Sequence, residues 1–176
     1  MRKLILIAAL FALPACAHAD SDDLPPVRTV NRVDVKKYLG RWYEIASFPQ
    51  RFQKDCTAST ADYSLREDGK LSVLNQCRIG SPDGKLKTAK GVAYAVDETY
   101  AKLRVSFFWP FYGDYWIIDL DQNYTYAVVG APGRDYLWIL YRQPKMSRKL
   151  YSEIVARIRA QHFDISNLKI TGSIVD

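Results

Sequence analysis

Apolar and polar residues alternate along residues 40–142 in short runs, each bounded by Gly, Pro, Asp or Ser. Trp42 to Phe48 is the first run, stopped by Pro49. Thr57 to Arg66 and Lys70 to Cys77 flank Asp68-Gly69, a dipeptide that suits the positive-φ turn of a β-hairpin. Lys87 to Val96 follows the turn Ser81-Pro82-Asp83-Gly84, and Lys102 to Phe108 precedes a loop holding Pro110 and Gly113. Tyr115 to Leu120, Tyr124 to Val129 and Tyr136 to Arg142 complete the set, the last two separated by Gly130-Ala131-Pro132-Gly133. Period-two alternation between turn residues predicts eight strands in sequential order.

One segment departs from this period. After Ser147, a candidate N-cap, Leu150, Tyr151, Ile154, Val155 and Ile158 recur at helical spacing, with charged residues on the other faces. That spacing predicts a C-terminal α-helix packed outside the sheet; a helix lying on a membrane surface is the alternative. Leu168, Ile170 and Ile174 alternate in the tail and predict a short ninth strand. Sequential antiparallel strands lose their exposed edges by closing, so the expected fold is all-β, an eight-stranded antiparallel up-and-down β-barrel. Such a barrel has room for packed side chains or one small ligand. Leu103, Val105 and Phe107 form one face and Lys102, Arg104 and Ser106 the other. Ala93 and Ala95 share a face; pointing inward, they leave volume open and favour a cavity.

The first residues stand apart. Arg2-Lys3 and apolar Leu4 to Leu13 read as an export leader, too short to span a bilayer. Ala17-His18-Ala19 predicts a signal peptide of residues 1–19. Leu13-Pro14-Ala15-Cys16 resembles instead a lipoprotein signal of residues 1–15 with Cys16 lipidated, although Pro14 suits the first site better. Residues 20–30 are acidic and Pro-containing and predict a flexible arm ahead of a single domain over 31–176.

Composition narrows the chemistry. The 12 Tyr, 7 Phe and 4 Trp in 176 residues suit a pleated sheet. Loss of Arg2 and Lys3 takes the formal charge from +6 to +4, too mild for a nucleic-acid surface without a basic stripe. It also leaves His162 as the one histidine, so neither a catalytic triad nor a multi-His metal site can be assembled. No metal or cofactor is expected. Cys56 and Cys77 remain, and in an exported chain the default is a disulfide, with a free catalytic thiol as the alternative. Counting from Asp68-Gly69 puts the two cysteines several residues out of register, so the bond requires a bulge or a bent strand.

Three motifs then carry a resemblance. Gly40-Arg41-Trp42 resembles the Gly-x-Trp motif that opens the first strand of lipocalins. Asp121 to Tyr124 resembles their second motif, and Arg142, at the end of the eighth strand, matches their single-Arg third. The likeness runs over roughly residues 30–172. In Tyr38 to Ala46, Ala61 to Leu65, Lys102 to Tyr112 and Asp135 to Leu140 it points to the bacterial outer-membrane, apolipoprotein D-like subgroup. It implies that Trp42 sits at the closed end of the barrel under Arg142, with Gly40, Asp121 and Tyr124 as structural partners.

Alternation and the family template together nominate an inner wall. Ala61, Tyr63, Val73 and Ala93 come from the first half of the barrel. Val105, Phe107, Tyr115, Ile117 and Val129 follow, then Tyr136 and Trp138. Several of these simply fill the core on the alternative view. Pro49 to Asp55, Gly80 to Lys85, Phe108 to Asp114 and Gly130 to Arg134 fall at the open mouth, where Phe108 to Tyr112 makes an aromatic rim beside Arg51 and Lys54. The resemblance implies a non-enzymatic carrier of the bacterial envelope. Fatty acids, lysophospholipids or similar amphiphiles are its expected ligands, and a membrane surface its neighbour. Periplasm and outer membrane are both open, as is the oligomeric state. Haem or pigment binding is the alternative, and a lipocalin-type enzyme, with Glu44 and Asp62 as its possible buried carboxylates, ranks below that.

Overall fold

The structure, a computed structural model, describes residues 24–176. Both processing signals, Cys16 included, lie outside the described residues, as do residues 20–23. A one-turn helix, α1 (Val35–Tyr38), leads into β1 (Gly40–Ser47). There follow β2 (Cys56–Leu65), β3 (Leu71–Ile79), β4 (Leu86–Ala95), β5 (Lys102–Phe108), β6 (Phe111–Leu120), β7 (Tyr126–Gly130) and β8 (Leu137–Tyr141). Each strand pairs antiparallel with the next, and β1 pairs with β8 through Tyr43–Tyr141 and Ser47–Trp138, which closes the barrel. Eight sequential strands and closure follow the expectation.

The differences lie at bulges and at the tail. β6 starts four residues before the expected Tyr115, because the β5–β6 connection is a tight hairpin turn with Phe108 opposite Phe111. Gly113, expected in a loop, faces Val105 within the sheet. The C-terminal alternation splits into two short strands. β10 (Lys169–Ile170) adds to β1 at Ser47 and Ala46. β11 (Ser173–Val175) runs parallel to β9 (Lys145–Ser147), a strand the sequence pattern did not suggest. The described part of the arm is not loose either. Val27 is buried, the Arg28 amide donates to the Gln161 side chain, and the Val30 amide donates to the Ile117 carbonyl.

Two apolar cores share the sheet. Inside the barrel, Trp42, Leu71, Val73, Leu103, Ile117 and Val129 pack together. Outside it, Ile154 and Ile158 of α2 (Arg148–Ala160) pack on Val128, Ile139 and Ile118. The helix starts where expected: the Ser147 hydroxyl accepts from the Leu150 amide. Each fully buried aliphatic side chain here stabilises the fold by about 1.5–3 kcal/mol. The α2 stripe therefore covers barrel wall, as expected of a helix packed outside, and not a membrane.

The closed end is tied by one side chain. The Arg142 guanidinium lies 3.8 Å over the Trp42 ring. It donates to the carbonyls of Arg41 (2.8 Å), Lys37 (2.6 Å), Tyr38 (3.2 Å) and Tyr124 (3.3 Å). The Trp42 indole donates in turn to the Tyr38 carbonyl at 2.8 Å. Gly40 enters β1 at φ +90, and a Cβ there would lie 3.5 Å from the Arg142 guanidinium. The Asp121 carboxylate closes the β6–β7 turn by accepting from the Asn123 and Thr125 amides and the Thr125 hydroxyl. Tyr124, at φ +59, brings its hydroxyl to the Asp34 amide. All five motif positions therefore act on the closed end. Trp42→Ala should lower the unfolding free energy by about 3–5 kcal/mol, measured by denaturant titration. An unchanged midpoint would refute the assignment.

Candidate ligand site in the barrel

The nominated wall residues divide by depth. Ala61, Tyr63, Val73, Ala93, Ile117 and Val129 are buried in the inner cluster. Ile117 and Val129 have no accessible surface at all, and Ala93 keeps 1%. The lower barrel is thus packed solid, and these residues fill it rather than border open space. Val105, Tyr115 and Trp138 pack against the same interior but stay only half-buried. Tyr136 stacks on Trp138, with ring centroids 5.8 Å apart, and continues the wall to the rim. Phe107 is 42% exposed: a bulge between Val105 and Phe108 tilts the end of β5. Its ring crosses Gly91, where an added Cβ would meet it at 2.8 Å.

Three phenols meet in the interior. The Tyr115 hydroxyl is 2.7 Å from that of Tyr38 and 2.8 Å from that of Tyr63. Burial pushes the Tyr63 hydroxyl up to about 12 and holds those of Tyr38 and Tyr115 well above the ordinary phenol value. Tyr38 belongs to α1, which no strand period could assign to the interior, so sequence reasoning missed it.

One side of the mouth carries polar contacts around Gln53 that sequence reasoning missed. Gln53, on the single 3-10 turn Arg51–Gln53 between β1 and β2, folds inward. Its carbonyl accepts from the Trp138 indole at 3.0 Å, and its amide donates to Glu44 at 2.7 Å. Glu44 is 7% exposed, as a buried carboxylate should be, whereas Asp62 is surface-bound in an ion pair with Arg41. The Lys87 ammonium donates to the Phe52 carbonyl and braces the same loop. Cys56 and Cys77 are bonded, with Cα atoms 5.4 Å apart. The required bulge is present: β2 shifts register between Thr57 and Thr60, with Ala58 at φ +48. The bond closes a loop worth about 3 kcal/mol.

At the rim, Phe108, Trp109 and Phe111 are 76%, 80% and 71% exposed. They crown the β5–β6 hairpin, and Phe52 on the β1–β2 connection is exposed as well. His162 lies exposed just beyond α2, far from the interior.

A closed barrel with a plugged floor and an open aromatic mouth defines a small-ligand binding class of fold. Residues 33–173 match the lipocalin-like domain family, and the chain belongs to the lipocalins. It is 46% identical to the outer membrane lipoprotein Blc of Escherichia coli K12 over 173 residues, covering 94% of each chain. It is 33% identical to apolipoprotein D of Macaca fascicularis over 181 residues, covering 96% of this chain and 93% of that one. Among solved structures, insecticyanin of the tobacco hornworm Manduca sexta superposes with a TM-score of 0.66 at 19% identity, covering 84% and 85%; this speaks for the fold alone.

The buried phenols make a test. Their neutral form is favoured in the fold, so their contribution is complete below the unfolded value of 10.0 and is lost as pH rises through the folded values, about 12 for Tyr63 and well above 10.0 for Tyr38 and Tyr115. In a spectrophotometric titration, three of the 12 tyrosines should stay protonated above pH 10 until the protein unfolds. Ionisation of all of them at the ordinary phenol value, with the fold intact, would contradict the cluster.

Proposed function

We propose that this lipocalin is a non-enzymatic carrier of the bacterial envelope. It binds fatty acids, lysophospholipids or similar amphiphiles with the acyl chain in the upper barrel, for storage or transport in membrane maintenance. The carrying observation is the change of character with depth: a floor without free volume, then half-buried Val105, Tyr115 and Trp138 under an open aromatic mouth. Apolar walls with a few phenol and indole donors suit a chain with one polar end, each buried methylene contributing about 0.8 kcal/mol. The envelope setting is supported by the names of the bacterial relatives and by the leader, with Cys16 as the lipid-bearing residue if residues 1–15 are the processed signal. The wall residues in contact with the chain are Val105, Phe107, Tyr115, Tyr136 and Trp138.

Native mass spectrometry of the exported protein, followed by solvent extraction, tests this directly. A stoichiometric, chemically intact amphiphile is expected. Protein that is empty and takes up no offered fatty acid or lysophospholipid would refute the carrier.

The exposed hairpin tip extends the proposal to membrane contact. Aromatic side chains favour the bilayer interface, and Arg51 and Lys54 sit at the same mouth to meet anionic headgroups. Trp109→Ala with Phe111→Ala should cut co-sedimentation with anionic liposomes severalfold and leave the melting temperature unchanged. Unaltered co-sedimentation would remove the tip from the docking surface.

A further inference from the structure

Glu44 has an arrangement that closure of the barrel does not need. It follows Trp42 by two positions and faces Leu140 across the β1–β8 ladder, so it points to the barrel side. β2 leaves β1 after the Tyr43–Thr60 pair, and β10 takes over that edge only at Ala46 and Ser47. The gap opens a recess of about 410 Å³, lined by Glu44, Arg51, Gln53, Lys54, Asp55 and Lys169 among others. At its inner end the Glu44 carboxylate accepts three neutral hydrogen bonds. Ser47 Oγ (2.9 Å) and Thr171 Oγ1 (2.8 Å) reach Oε1, and Gln53 Nε2 (2.7 Å) is the single donor to Oε2. None of the ion pairs among the described residues includes Glu44. A buried carboxylate accepts up to about four hydrogen bonds and normally has a cation beside it.

The Gln53 amide shows what complements this site. Its N–H group meets the Glu44 carboxylate while its oxygen accepts the Trp138 indole N–H, so one small planar group bridges an acid and a donor. It does so from a mouth loop, through its side chain alone. We propose that Glu44 is the receptor for the protonated amine of a zwitterionic amphiphile, which displaces Gln53. The anionic part of the same headgroup faces Arg51, Lys54 and Lys169, and these cations select against an amine that lacks a neighbouring anion. Asp55, also in the recess, stands beside those cations and moderates their field. The inference rests on the carrier function and adds the headgroup class to it.

Two chain-matched probes separate the possibilities: lysophosphatidylethanolamine, with amine and phosphate, and lysophosphatidic acid, with phosphate alone. Their affinities are read from quenching of tryptophan fluorescence at concentrations below micelle formation. The native protein should prefer the amine-bearing probe by about tenfold or more, as expected for a charge-assisted hydrogen bond. Glu44→Gln keeps the shape and removes the charge, and should bring the two probes to near-equal affinity. Gln53→Ala leaves Glu44 in place without its competing donor. That variant should keep or enlarge the preference, and it serves if Glu44→Gln proves unstable on thermal melting. Equal binding of both probes by the native protein would overturn the proposal, as would a preference that survives Glu44→Gln or disappears in Gln53→Ala. Failure to bind either probe would bring down the carrier function itself, and this inference with it.

Discussion

Arg142 is the constraint on which the barrel depends. A single guanidinium covers the Trp42 ring and donates its hydrogen bonds to carbonyls of α1, β1 and the β6–β7 turn. A cation over an indole contributes about 0.5–2 kcal/mol, depending on desolvation. Its larger effect is geometric, because the same group satisfies carbonyls that closure of the barrel takes away from water. With that end fixed, α1 is held across the floor and Tyr38 is delivered to the interior.

From there the molecule becomes progressively less packed. Large aliphatic and aromatic side chains fill the bottom, three phenols form a polar layer above them, and the top is shaped by bulges. The bulges carry much of the functional geometry. The one in β2 brings Cys56 to Cys77, and the one in β5 tips Phe107 toward the mouth. Stability is concentrated where no ligand goes, and the half-buried surface sits where one can enter.

Much of this was legible in the sequence. Alternation located every barrel strand to within a few residues, and the helical stripe from Leu150 to Ile158 marked the one segment that packs outside. Nine of the eleven wall residues were also assigned to the face that forms the inner cluster. Their depth was not, because alternation distinguishes inside from outside and carries no information on how far down a filled interior extends. Ile117 and Val129 look the same in sequence as Val105, yet only Val105 stays half-buried. Gln53 and Thr171 were invisible for a similar reason. Both lie in irregular segments, and both matter through contacts to Glu44 made across the fold.

Local chemistry by itself determined the strand order, the turn at Asp68-Gly69 and the cap at Ser147, since each depends on neighbours in sequence or on a period of two, whereas the closing motifs at Trp42 and Arg142 were legible through the family resemblance. The tertiary structure alone decided three other things: that the tail splits between β1 and β9, that Tyr38 joins Tyr63 and Tyr115, and that a buried carboxylate meets an amide from the mouth loop. Those are pairings between residues far apart along the chain. They exist only once closure of the barrel has brought its two ends, its floor and its mouth together.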